Sequence, residues 1–176
     1  MPSHHFDATV EDINGWLLVR LAKSASAALP SRGQVMVQGT FANTAIHLPA
    51  EPDGNGGHWI AIDKQLQKTT GVKAGDKVDV AVASSKVWPE PVIPPDIKKG
   101  IVTNPLVSSQ WKRITPLARW EWLRWINSTA NADTRKKRID VSVSKLSHGE
   151  RRPCCFNRSM CCIPQVSKSG VLLGTL

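Results

Sequence analysis

The chain of 176 residues has no tyrosine, only four cysteines and no long apolar run. A membrane-spanning helix needs roughly 18 consecutive apolar residues, so we expect no membrane span. The start of the chain also lacks the cationic and apolar segments of a secretory signal. We therefore expect a cytoplasmic protein whose core is held by packing, because cysteines confined to nine residues cannot cross-link the rest of the chain.

The composition is that of an ordinary globular protein, but the charge is unevenly placed. The residues are 41% hydrophobic and 21% charged, which excludes collagen, a coiled coil and wholesale disorder and suits one domain or two small ones. The net charge is +9; residues 1–95 hold 8 Lys/Arg against 9 Asp/Glu, whereas residues 96–176 hold 15 against 5. An anionic partner is therefore expected at the second half of the chain.

The first half of the chain predicts an antiparallel sheet. Asn14-Gly15 and Ala42-Asn43 are placed to form the tight turns of two hairpins, and Asp63 and Gly71 are suited to cap a helix between them. Apolar and polar residues alternate, as in half-buried strands, in six runs: residues 6–10, 16–21, 35–41, 44–48, 58–62 and 77–82. Closing so many short strands into a small barrel would hide their edges.

A proline-rich segment separates the predicted sheet from a helical region. Four prolines lie between Trp88 and Pro95, which disfavours a central strand or a helix interior and favours an extended linker. We expect four segments: a barrel domain over residues 1–87, the linker over 88–98, a helical domain over 99–150 and a flexible, cysteine-containing tail over 151–176.

Two helices are predicted in the helical domain. Thr115-Pro116 indicates the start of the first, which should run to about Ser128. A helical wheel of this helix separates a core-facing arc, Ala118, Trp122, Trp125 and Ile126, from Trp120 and Leu123. The second should run from Asp133 to about His148. Its apolar residues also alternate with period 2, so a strand is an alternative, although the end signals favour a helix.

The most basic run of the sequence lies at the start of the second predicted helix and comprises Arg135, Lys136, Lys137 and Arg138. Cations near a helix N-terminus cost about 0.3–1 kcal/mol each at low salt, so an anion should offset them. One alternative is a solvated helix end in which one arginine pairs internally, for example with Asp133. The other is a site for an anion or a partner, to which Arg151 and Arg152 would contribute.

Two tryptophans are candidates for a partner surface. Trp111, Trp120, Trp122 and Trp125 lie within fifteen residues among lysines and arginines, a mixture superficially like that of nucleic-acid binders. Because Trp122 and Trp125 share the apolar arc, they are expected in the core. Trp111 and Trp120 are free to form an interface.

The four cysteines form two adjacent pairs: Cys154, Cys155, Cys161 and Cys162. Structural zinc sites generally separate paired cysteines by two to four residues, so a metal site is the least favoured alternative. Three nearby arginines would favour thiolates and hence sensitivity to oxidation. Reduced cysteines without a dedicated role are the main expectation.

Nothing in the sequence indicates catalysis or a cofactor. The glycine-rich loop Gly54–His58 lacks the Gly-Lys-Ser/Thr ending of a phosphate-binding loop and precedes a strand. The five histidines show no metal-ligand spacing, and no Ser, Cys or carboxylate stands in a recognisable nucleophile motif. We expect a non-enzymatic binding protein without a cofactor.

Several motifs resemble those of a known bacterial family. They are Gly71–Val80, Gly56-Gly57-His58-Trp59 and Val92–Asp96 in the first part, and Arg119, Trp125-Ile126, Thr134-Arg135, Arg138-Ile139 and Gly149–Arg152 in the second. The first set is similar to a bacterial barrel domain of unknown function. The second resembles the YdeI/OmpD-associated helical region that often follows that domain. The resemblance covers about residues 5–155.

The resemblance implies a fold and two kinds of partner. The barrel would be similar to the double-split barrels of AbrB-type and MazE-type regulators, which bind DNA as intertwined dimers. The family label implies a link to stress or to bacteriocin resistance. We therefore expect an α+β protein with an N-terminal antiparallel double-split β-barrel and a C-terminal helical region. Its partner would be a protein or, alternatively, nucleic acid at the basic half, and a homodimer is a further expectation.

Overall fold

The structure, a computed structural model, describes residues 3–153, 164–167 and 169–174. The chain divides into two compact units: Met1–Val87 with Pro164–Leu176 form the sheet unit, and Trp88–Ile163 form the helical unit. The chain therefore leaves the sheet unit once and returns to it near its C-terminal end.

One antiparallel sheet forms the sheet unit. Its strands are β1 (His4–Thr9), β2 (Glu11–Ile13), β3 (Trp16–Arg20), β4 (Val35–Phe41), β5 (Thr44–Pro52), β6 (His58–Ala61) and β7 (Lys77–Ser84). They pair in the order β1-β7-β4-β5-β6-β3-β2. Because only Val10 separates β1 from β2, which lie at opposite ends of this order, the sheet curls until its ends meet. The α+β class and the antiparallel barrel-like sheet are confirmed, and the double-split detail stays a prediction.

Both predicted tight turns are present. Asn14 and Gly15 join β2 to β3 with φ of 56° and 80°, and Ala42 and Asn43 join β4 to β5 with φ of 46° and 60°. A left-handed φ at both central residues matches the twist of the flanking strands. The first hairpin is shorter than predicted, because the chain bends at Val10 and β1 pairs with β7.

Two short helices border the sheet: α1 (Lys23–Ala27) and α2 (Lys64–Thr70). The second was predicted from its ends. Asp63 Oδ1 accepts a hydrogen bond from the Leu66 amide at 2.7 Å, and Gly71 ends the helix with φ of 71°. The first was not predicted, because its five residues are too few to show helical periodicity.

Four helices form the helical unit: α3 (Pro95–Thr103), α4 (Pro105–Arg113), α5 (Pro116–Asn127) and α6 (Ala132–Ser147). The last two confirm the two helices predicted from the sequence. Thr115 Oγ1 accepts from the Ala118 amide at 3.3 Å, and Asn131 Oδ1 accepts from the Thr134 amide at 2.9 Å. Each cap satisfies a backbone donor that has no partner within its own helix.

Helices α3 and α4 were not predicted from the sequence. The linker was expected to reach residue 98, but a helix begins at Pro95, where the missing N–H costs no hydrogen bond. In the same way α4 begins at Pro105, after Asn104, whose side chain accepts from the Leu106 amide at 3.0 Å. The signal that predicts α5, a capping side chain followed by proline, is therefore also present at α4.

Residues 164–167 and 169–174, called the strap below, fold against the sheet unit. Val166 and Leu172 form an antiparallel bridge, and Leu172 is fully buried. A flexible tail was expected over residues 151–176. The described part of that tail is instead anchored, because its backbone hydrogen-bonds to the sheet unit.

Candidate functional site

The four cations at the start of α6 do not form one cluster. Arg135 and Arg138 are half-buried, whereas Lys136 and Lys137 are exposed. Successive helical residues are rotated by about 100°, so a run of four cannot share one face. The predicted anion site is therefore split into two arginines and two lysines with different surroundings.

Arg135 pairs with a carboxylate on α3. Its Nε donates to Asp96 Oδ2 at 2.6 Å, its Nη2 to Asp96 Oδ1 at 3.1 Å and its Nη1 to Asn127 Oδ1 at 2.7 Å. These side-chain bonds from Arg135 are the main cause that holds the pKa of the Asp96 carboxyl below its usual value; partial burial acts in the opposite direction. One arginine thus pairs internally, and its partner is Asp96 rather than Asp133.

Arg138 binds the end of the preceding helix. Its Nη1 donates to the Trp125 carbonyl oxygen at 2.7 Å and to Ser128 Oγ at 2.8 Å, and its guanidinium carbon lies 5.5 Å from the centre of the Trp125 ring. A cation is favoured both at a helix C-terminus and over an aromatic face. Arg138 therefore ties α6 to the end of α5.

The two exposed lysines of α6 have two exposed aspartates as neighbours. Asp133 precedes Lys137 by four residues, and Lys136 precedes Asp140 by four. Side chains four residues apart on a helix lie next to each other. The formal charge of these four residues is zero, which weakens this face as a site for a phosphate backbone.

Arg151 and Arg152 follow α6 and are both exposed. The Arg151 carbonyl oxygen accepts a hydrogen bond from Trp122 Nε1 at 3.1 Å. Arg152 Nε lies 3.6 Å from Glu121 Oε2, and the Glu121 side chain is buried. Of the predicted cationic residues, Arg152 therefore joins the two half-buried arginines of α6 in pairing within the helical unit.

The burial of the tryptophans differs from the prediction in both directions: Trp125, expected in the core, is half-buried and packs against it. Trp111 is only 7% exposed and packs in the helical core, rather than on the surface where it was expected. Trp120 is half-buried, and its Nε1 donates to the Pro89 carbonyl oxygen at 2.7 Å. Trp122 is buried, as predicted, and Leu123 is buried as well, although the helical wheel placed it outside the core arc.

Arg119, which was not predicted to be a site residue, connects several parts of the helical unit. Its guanidinium donates to the carbonyl oxygens of Trp111 at 2.8 Å, Lys112 at 3.0 Å and Ile114 at 2.9 Å, and it pairs with Glu90. Carbonyls at the end of a helix lack intrahelical partners. One side chain of α5 therefore closes the end of α4 and fixes the proline-rich segment.

Ser26 and His58 form a hydrogen-bonded pair in the sheet unit. Ser26 Oγ lies 2.7 Å from His58 Nδ1, and His58 Nε2 lies 2.9 Å from the Gly33 carbonyl oxygen. Because a carbonyl only accepts, Nε2 carries the proton and Nδ1 accepts from the serine. This is nucleophile–base geometry, but each side chain is only 1% exposed, so a substrate cannot reach it.

Two family models match the chain, one in each unit. A domain of unknown function (DUF1905) matches residues 6–82. A model described as Bacteriocin-protection, YdeI or OmpD-Associated matches residues 90–149. The helical unit belongs to the YdeI/OmpD-associated family. No curated protein matches it at a significant level.

The two matched regions include neither the cysteines nor the strap. Cys154, Cys155, Cys161 and Cys162 also lie outside the described residues, so the expectations about thiols and a metal stay predictions. Across residues 3–153, 164–167 and 169–174, no group of three or more His, Cys, Asp or Glu side chains could hold a metal ion. In the same residues, no helix has the length and apolar character to span a membrane.

The YdeI/OmpD-associated helical unit exposes two apolar side chains at the corner between α3 and α4. Val102, near the end of α3, is 62% exposed, and Leu106, at the start of α4, is 66% exposed. Single exposed apolar residues are ordinary, but two beside one corner form a candidate contact surface. Sequence reasoning missed them, because no solvent face can be assigned to helices that are not predicted.

Proposed function

We propose that the protein is a non-enzymatic binding protein that protects bacteria against bacteriocins or related antimicrobial peptides. The match of the helical unit to the bacteriocin-protection family over residues 90–149 carries this proposal. Binding would use the exposed apolar corner of Val102 and Leu106.

Binding rather than catalysis is supported by the surroundings of the reactive groups. The Ser26–His58 pair has the geometry of a nucleophile and its base but is closed to solvent. Within a sealed core, such a pair satisfies two polar side chains that would otherwise be costly to bury. We therefore assign it a structural role.

A nucleic-acid partner is the alternative function, and it draws less support. Arg135 and Arg138 are engaged inside the helical unit, and Lys136 and Lys137 are balanced by neighbouring aspartates. Generic duplex binding would require several free cations, and its affinity would fall steeply with salt. Titration of the protein into duplex DNA at low and high salt tests it, and steeply salt-dependent binding would favour this alternative.

A growth assay tests the protective function. Bacteria that produce the protein and bacteria that lack it are exposed to a panel of bacteriocins and cationic antimicrobial peptides. The proposal predicts a several-fold higher inhibitory concentration for at least one peptide in the producing strain. Val102→Ser combined with Leu106→Ser should abolish this difference while the protein level stays unchanged, because both side chains are exposed.

The matched control is Lys136→Gln combined with Lys137→Gln. These exposed residues lie on α6, away from the apolar corner in sequence, so protection should persist. Equal sensitivity of the producing and non-producing strains to every peptide would contradict the proposed function. Loss of protection in the lysine variant alone would move the contact surface to α6.

A further inference from the structure

The outer face of the sheet beside β2, β3 and β6 combines apolar side chains with the Arg20–Glu11 ion pair. On β3, Val19 points into the barrel core, so its neighbours Leu18 and Arg20 point outward. Trp59 pairs with Arg20 and Glu11 pairs with Leu18 across the sheet, so they share this outward face. Such a face would normally meet solvent.

These outward side chains are nevertheless buried. Leu18 is 0% exposed and Trp59 is 2% exposed, and both lie outside the interior core cluster. The strap provides a cover: its Leu172 is also 0% exposed, and Gly174 approaches Ile13 of the same face. The outer face is therefore an apolar groove with an occupant from this chain.

The sheet unit holds the strap through the strap's main chain. The Leu172 amide donates to the Asp53 carbonyl oxygen at 2.9 Å. Arg20 Nη2 donates to the Leu173 carbonyl oxygen at 3.1 Å, and Asn14 Nδ2 donates to the Pro164 carbonyl oxygen at 3.2 Å. The strap's backbone folds back on itself, because the Ser167 amide donates to the Val171 carbonyl oxygen and the Leu173 amide to the Gln165 carbonyl oxygen, each at 2.8 Å. Main-chain atoms are common to all peptides, so these contacts select this backbone shape and not a particular sequence.

Shape supplies the remaining selectivity. A Cβ on Gly54 would lie 2.8 Å from Val171 Cα, which is closer than real Cβ atoms approach. The two backbones therefore meet directly at Gly54 and Gly170, where φ is 80° and 84°. The absence of a Cβ at Gly54 thus lets the occupant's backbone approach, and Leu172, two residues after Gly170, is the apolar anchor.

We propose that this outer face is a docking groove for a short peptide segment that folds back on itself and carries one apolar anchor, and that the strap fills it as a built-in ligand. The groove belongs to the sheet domain matched over residues 6–82, whereas the strap lies outside both matched regions. This site does not rest on the protective function proposed above, and its test measures peptide binding alone.

Competition between the strap and a free peptide makes the groove testable. A tethered segment has an effective concentration of about millimolar order, so the wild-type protein should exclude a peptide added at micromolar concentration. Leu172→Asp in the full-length chain should release the strap, because a buried apolar anchor is replaced by a charge. The probe is a fluorescent peptide with the sequence of residues 164–176, followed by fluorescence anisotropy.

The released variant should bind this peptide at least about tenfold more tightly than the wild-type protein does. The same peptide with Leu172→Asp should not bind. Asn14→Gly in the released variant keeps the left-handed turn and removes one donor, so the peptide should bind about threefold to tenfold more weakly. Circular dichroism checks that each variant is folded, and Leu172→Ala replaces Leu172→Asp if the latter unfolds.

Any of four results would overturn the proposal. The peptide could bind none of the folded, strap-released variants, or it could bind them no better than the wild type. If the Leu172→Asp substitution in the peptide left binding unchanged, Leu172 would not be the anchor. A stable dimer of the wild-type protein in which the straps exchange between copies, detected by light scattering, would show that the groove serves self-association instead.

Discussion

Arg138→Gln separates an internal role of the basic run from a binding role. In the structure this guanidinium joins the Trp125 carbonyl oxygen, Ser128 Oγ and the face of the Trp125 ring. Glutamine is shorter and uncharged, so it can replace at most one of these contacts. We expect the helical unit to lose stability while the sheet unit is unaffected.

The size of the loss follows from the contacts removed. A hydrogen bond from a charged donor contributes about 1.5–3 kcal/mol, and a cation–π contact at a partly exposed site about 0.5–1 kcal/mol. Arg138 is half-buried, so water replaces part of what is lost. The free energy of unfolding should therefore fall by about 2 kcal/mol.

Urea unfolding followed by tryptophan fluorescence measures this change. Five of the seven tryptophans belong to the helical unit, so fluorescence reports mainly on it. With a slope of about 2 kcal/mol per molar urea, the midpoint should fall by about 1 M. Lys137→Gln is the matched control, because this exposed neighbour should change stability by less than about 0.5 kcal/mol.

Equal midpoints for the arginine and lysine variants would contradict a stabilising role of Arg138 in the helical unit. So would an Arg138→Gln protein of wild-type stability that loses affinity for a polyanion such as duplex DNA. The second result would mean that the guanidinium is held for an external ligand and not for the end of α5.

Three further predictions concern the fold. Gly39→Ala places a Cβ against the Ala81 carbonyl and 3.2 Å from Val82 Cα, so thermal unfolding should show a loss of about 3 kcal/mol. Asp63→Ala removes the cap of α2 and should cost about 1 kcal/mol in urea unfolding. The pKa of Asp96 is lowered in the folded state, so the ionised carboxylate stabilises the fold above about pH 4 and this stabilisation is lost on acidification. In the Asp96→Asn variant, the urea midpoint should therefore fall less between neutral and acidic pH than it does in the wild-type protein.

Local signals predicted much of the fold. The Asn14-Gly15 and Ala42-Asn43 turns and the Asp63 to Gly71 helix each depend on residues close together in sequence. The pairing of β1 with β7 does not, because it joins Phe6 to Val80. Period-2 alternation marks strands without naming their neighbours. The curled sheet could therefore be expected as a class, but its strand order could not.

The candidate site was harder to predict, because its partners are distant. Arg135 was recognised as cationic, but its partner Asp96 lies 39 residues earlier, in a segment assigned to the linker. Trp111 was expected at the surface because α4 was not predicted, so it had no core-facing side. The strap has a weak pattern of its own, and its burial depends on a groove built by β2, β3 and β6.

Mass spectrometry of an antimicrobial peptide mixed with the protein distinguishes binding of the peptide from its chemical modification. An antimicrobial peptide to which the protein confers resistance is incubated with an equimolar amount of protein. The complex is separated from the free peptide, and the peptide in each fraction is recovered after denaturation. If the protein acts by binding, the peptide should keep its mass and be held in a stoichiometric complex. A cleaved or covalently modified peptide, formed in excess over the protein, would contradict it and identify the protein as an enzyme.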